Sequence, residues 1–74
     1  MGKIEPVYKK IGKIVREERI KQGRTIEDLS FSCGFSVNYV GLVENARKRV
    51  SLEALRKIAK ELKIPLSKLT KDLK

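Results

Sequence analysis

Gly34 separates two short apolar-patterned stretches, IEDLSFSC and VNYVGLVEN, and each is preceded by a hydroxyl residue, Thr25 or Ser36. Thr25 and Asp28 have the spacing of a capping box, in which the Thr hydroxyl and the carboxylate three residues on each accept an orphan backbone N–H. A helix opening there carries Leu29 and Cys33 on one side and ends at Gly34, a residue free to turn left-handed. Ser36 then caps a further helix reaching about Asn45. A connection this short holds the two helices at a steep angle, and the rest of the chain must supply their support.

Taken in order, residues 1–6 lack periodicity, end in Pro6 and read as an N-terminal tail. From Val7 to Gln22 the residues Val7, Ile11, Ile14 and Val15 recur at helical spacing between Lys9, Lys10, Lys13 and Arg16, which predicts an amphipathic first helix stopped by Gly23. Beyond the central pair, ARKRV forms a basic connection from Ala46 to Val50. Ser51 caps a fourth helix with the stripe Leu52, Leu55, Ile58, Ala59 and Leu62. Pro65 suits the first position of a fifth, along which Leu66, Leu69 and Leu73 share a side. The expected fold is all-α, five helices in a single domain over residues 7–74, with no strand signal.

Residue usage removes several function classes. One cysteine, Cys33, excludes an intramolecular disulfide, and with no histidine the commonest metal ligand is missing, so no metal or other cofactor is expected. Cys33 beside Leu29 reads as a small core residue. No apolar run approaches the roughly 20 residues of a membrane span, and Pro6 stands where a myristoylation motif wants Ser or Thr; a cytoplasmic location is expected. Without histidine, a carboxylate pair beside a nucleophile or a phosphate-cradling glycine loop, neither an enzyme nor a small-molecule substrate is indicated.

The net charge of +9 is unevenly spread. Residues 1–24 carry eight Lys/Arg against three acids and residues 47–74 carry ten against three, whereas residues 25–46 hold Glu27, Asp28 and Glu44 and no Lys or Arg. A polyanion would therefore be gripped by the flanks of the central pair.

The run from Ile11 to Leu69 resembles the helix-turn-helix domains of phage repressors and their bacterial relatives. The resemblance rests on the order helix, glycine, Thr-capped helix, Gly34 turn, Ser-capped helix, Glu44, basic loop and Ser51-Leu52. Ser30, Gly34, Phe35, Val40 and Val43 stand where that motif packs its two helices together. Arg19 and Glu44 match a pair often joined as an ion pair between the first and third helices. More narrowly, the basic loop before Ser51-Leu52 is similar to that of restriction-modification controller proteins. Ala46 stands where such chains usually have glycine.

The resemblance implies a compact lambda-repressor-like domain whose third helix enters the DNA major groove, the second lying across the backbone, with paired subunits reading half-sites about one helical turn apart. It implies a homodimer that acts as a repressor or otherwise controls a promoter, with Leu66, Leu69 and Leu73 as the dimer patch, although these leucines also suit a cover for the core. Grip on phosphates falls to Arg47, Lys48, Arg49 and Thr25 with the backbone amides beside it. Readout falls to Ser36, Val37, Asn38 and Leu42, with Tyr39 and Asn45 at the margins.

None of these readout residues can make the bidentate Arg-to-guanine contact, while Asn38 suits adenine and Val37 or Leu42 a thymine methyl, so an A·T-leaning site is expected. Alternatives stand beside each assignment. Val37 and Leu42 suit packing on a neighbour or a partner protein, the 47–49 cluster suits a solvated loop, and the Tyr39 ring suits the core with its hydroxyl at the surface. Two other functions fit the same fold: a protein-interaction module using the apolar third-helix face, and a low-specificity nucleoid-type DNA binder.

Overall fold

The computed structural model describes residues 6–71, which form α1 (Pro6–Lys21), α2 (Ile26–Cys33), α3 (Val37–Glu44), α4 (Leu52–Leu62) and α5 (Leu66–Thr70), with no strand among them. Several boundaries differ by one residue from the sequence reading: α1 ends at Lys21 and α3 at Glu44, each one residue early. Pro6 begins α1, where its missing N–H leaves no bond unmade, and Pro65 is the cap ahead of α5, not its first residue. The α4 end is Lys63, which takes the left-handed conformation (φ 58°) usually given to glycine.

The apolar stripes meet in one core. Ile11 and Val15 from α1, Leu29 from α2, Val40 and Val43 from α3, Leu55, Ile58 and Leu62 from α4 and Leu69 from α5 are all essentially without solvent contact. Each fully buried side chain of this kind contributes roughly 1.5–3 kcal/mol before ordering costs. Cys33 lies in the same core, as its spacing from Leu29 predicts, and burial pushes its thiol pKa upward.

Leu69 corrects the expected dimer patch. Only 2% exposed, it closes the core, because α5 packs on α1 and α4 with that side chain turned inward. Leu66 is half-buried against the core, and Leu73 lies outside the described residues.

The α1 stripe ends in a charged residue. Glu18 falls three positions after Val15 on the buried side, and its carboxylate accepts a 2.7 Å hydrogen bond from Lys68 Nζ of α5. That bond, more than the nearby Lys21, holds the Glu18 carboxyl below its ordinary pKa against the opposing effect of burial.

Candidate nucleic-acid interface

Local hydrogen bonds set the α2–α3 unit. Asp28 N–H donates to Thr25 Oγ1 at 3.0 Å and Thr25 N–H donates to Asp28 Oδ2 at 3.1 Å, completing the capping box. The bond from the Thr25 backbone is the main reason that the Asp28 carboxyl sits below its ordinary pKa. Gly34 takes the left-handed conformation (φ 77°), and Phe35 N–H donates to Ser30 O at 2.9 Å, so the chain reverses within two residues. Ser30 is buried and returns its hydroxyl to Ile26 O at 2.7 Å, which lets the helices meet without an orphan polar group. Ser36 Oγ accepts from Tyr39 N–H at 3.0 Å and opens α3.

Contacts from outside the unit then hold it. Arg19 Nε and Nη2 donate to the two Glu44 oxygens at 2.7 and 3.1 Å, with side chains only 13% and 5% exposed, and Arg19 Nη1 donates to Arg24 O at 2.9 Å. The fork-to-fork pair fixes the C-terminal end of α3 on α1. Glu44 and, more weakly, the negative charge of Glu27 raise the Arg19 pKa.

Gly12 brings the same two helices together: a Cβ there would lie 2.5 Å from Val43 O and 2.7 Å from Glu44 O. Gln22 Nε2 donates to Leu62 O at 2.7 Å, while Arg24 donates to Glu61 O and to Ser32 Oγ, both at 2.8 Å. These bonds satisfy carbonyls at the end of α4 and anchor the start of α2 to it.

With α3 so held, Val40 and Val43 face the core, and Ser36, Val37 and Asn38 are exposed together at its start. Val37 is 43% exposed. Gly41 and Leu42 are half-buried on the next turn. The Tyr39 ring packs on Phe35, centroids 4.8 Å apart, and Lys48 Nζ lies 6.0 Å from the Tyr39 centroid. Burial raises the Tyr39 pKa, so the phenol keeps its proton and remains a donor.

Asn45 is exposed, and its side-chain amide donates to Gly41 O at 2.9 Å, the same oxygen that accepts its backbone N–H at 3.0 Å. Ala46 adopts φ 57°, the left-handed conformation that glycine takes without strain, and Arg47 N–H donates to Leu42 O at 2.8 Å. Arg47, Lys48 and Arg49 follow in an exposed loop.

The starts of α2 and α3 each present first-turn N–H groups with no helical partner, the kind of site that phosphates take. Thr25 and Ser36 use a hydroxyl lone pair for capping and keep the hydroxyl proton to donate. Asp28 is folded back on Thr25, which lowers its conflict with a nearby anion.

Sequence reasoning missed Gly12, Gln22, Arg24 and Glu18 as positioning residues. Gly12 inside a helical pattern and Glu18 on an apolar stripe were readable signals; the partners of Gln22 and Arg24 lie 40 and 37 residues away and were not. Phe31, at 88% exposed on α2, was also missed.

The helix-turn-helix family model (HTH_3) matches residues 15–69. The transcriptional regulator ClgR of Mycobacterium tuberculosis is 39% identical over 57 residues, which cover 77% of this chain and 51% of that protein, so the chain aligns with about half the length of this relative. Among solved structures, the restriction-modification controller protein C.AhdI from Aeromonas hydrophila superposes with a TM-score of 0.80 at 37% identity, over 84% of this chain and 94% of that one. The clp gene regulator ClgR from C. glutamicum gives 0.82 at 27% identity, over 88% and 86%.

Proposed function

This chain belongs to the helix-turn-helix family, and from that membership we propose that it is a cytoplasmic, sequence-specific regulator of transcription that binds double-stranded DNA as a dimer and represses by occupancy. The start of α3 enters the major groove, α2 lies across the backbone, and Asn38, Val37, Ser36 and Leu42 read an A·T-leaning half-site. Arg47, Lys48 and Arg49 grip phosphates beside the groove, aided by Thr25 and by Tyr39 as a protonated donor. Asn45 serves the helix end, leaving one amide proton and its oxygen for a backbone contact.

The observation that carries this reading is the joint exposure of Ser36, Val37 and Asn38 at the start of a helix held by the Arg19–Glu44 pair, with the basic loop at its other end. With Leu69 in the core, the dimer surface falls to Leu66 and the exposed residues around it. Phe31 favours a second reading, docking of a partner protein on α2, because its ring is 88% exposed and lies outside the core.

Selection from random duplex DNA at physiological salt separates the readings. A two-fold symmetric motif is expected; binding without a motif means a nucleoid-type protein, and no binding leaves the protein-docking reading. On the selected duplex, Arg47→Ala with Arg49→Ala should lower the slope of log K against log salt by about 2, near 0.9 for each lost phosphate contact. A slope and an affinity equal to wild type would remove the loop from the interface.

A further inference from the structure

Lys9, Lys13 and Arg16 stand at i, i+4 and i+7 of α1 and therefore share one strip of that helix; all three are exposed. The strip borders the end of α3: with Glu44, Asn45 and Ala46 it lines a concavity of about 340 Å³. Gly12 accounts for the juxtaposition, since its missing side chain lets the α1 backbone lie against the Val43 and Glu44 carbonyls. The acid in the lining is already held, because Arg19 binds both oxygens of Glu44. Lys9, Lys13 and Arg16 make no hydrogen bond or ion pair with the described residues.

Two cationic arms thus converge on one end of α3: the 47–49 loop continuing from it and the α1 strip beside it. Seven residues of helix place Lys9 and Arg16 roughly 10 Å apart along the axis. A single small anion does not match cations so spaced, but about three base-pair rises of one DNA strand do. We propose that this concavity seats phosphates of the DNA backbone where α3 leaves the groove, so that α1 extends the footprint beyond the helix-turn-helix. The inference rests on the DNA-binding reading.

The test compares salt dependence on the selected duplex for three proteins. Lys9→Gln/Lys13→Gln/Arg16→Gln should reduce the slope by about 2 to 3 and weaken binding at least about tenfold near 0.1 M salt. Arg56→Gln/Lys60→Gln/Lys63→Gln removes the same charge from α4 and its end, and should change both far less. Lys9→Arg/Lys13→Arg/Arg16→Lys keeps the charges and should keep the slope.

A wild-type slope in the first variant overturns the proposal. So does an equal loss in the α4 variant, which would mean that net charge alone acts, or a loss of thermal stability without a change in slope, which would make the strip a counterweight to the α3 carbonyls. If the triple Gln variant does not fold, Lys9→Gln and Lys13→Gln taken singly should each still lower the slope by about 0.9. Failure of wild-type protein to bind any duplex would instead remove the functional reading itself, and this one with it.

Discussion

Two glycines inside helices look alike in the sequence and are opposite in the structure. A methyl group at Gly12 would meet two backbone carbonyls at 2.5 and 2.7 Å, and neither can yield without moving α3 off α1. A methyl group at Gly41 would meet only Ile26 Cδ1 at 3.8 Å, an ordinary contact. Gly12→Ala should therefore destabilise by roughly 1–3 kcal/mol, overpacking outweighing the better helix propensity. Gly41→Ala should stabilise by about 0.5–1 kcal/mol. Urea denaturation of the two variants measures both signs. If Gly41 also lies against DNA, the more stable variant should bind the selected duplex more weakly, since the methyl group would occupy space that a base edge needs.

At the scale of elements, the end of α3 carries strain at Ala46, a non-glycine residue with φ 57°. A left-handed alanine costs roughly 1–2 kcal/mol, whereas the extra freedom that glycine gives the unfolded chain costs about 0.4–1 kcal/mol. Ala46→Gly should accordingly gain about 0.5–1 kcal/mol in the same denaturation experiment, and a loss would mean that the Ala46 methyl packs on α1 to more effect than its backbone is strained.

The helices were legible because their signals are local: Thr25, Ser36 and Ser51 cap within three residues, and Gly23 and Gly34 turn left-handed where they stand. The resemblance also supplied Arg19 with Glu44. What sequence left open depends on distance in the fold. Leu69 has the same spacing whether it seals the core or faces a partner, and only the packing of α5 on α1 and α4 decides. Asn45 is exposed at the end of α3, and only the fold shows that its amide joins its own backbone N–H on the Gly41 carbonyl. Which α3 residues are exposed follows from helical period; what they touch does not.

For the whole molecule, the distribution of charge couples stability to pH. The Glu18 carboxyl is held low chiefly by Lys68 and the Asp28 carboxyl chiefly by the Thr25 amide, so both have lower pKa values folded than unfolded. On acidification the unfolded chain then binds protons first, and stability rises with pH. The contribution is fully present above the ordinary carboxylate range and is lost as pH falls through the folded values. A second effect acts in the same direction: protonating the nine acids leaves eighteen Lys and Arg unbalanced, and their mutual repulsion opposes the compact state. The melting temperature should stay nearly level from neutrality to about pH 5 and fall below it.

Salt distinguishes the two causes. Added salt screens the exposed cations and should recover part of the loss at low pH, but it cannot restore a Glu18 carboxylate that has become a neutral acid. Glu18→Gln should melt lower than wild type at neutral pH, fall less steeply with acid and recover a larger share of its loss with salt than wild type does, the unrecovered remainder being the Asp28 contribution. If it instead declines in parallel with wild type, the bond between α1 and α5 contributes nothing to the pH profile, which then rests on Asp28 and on repulsion among the cations that would hold DNA.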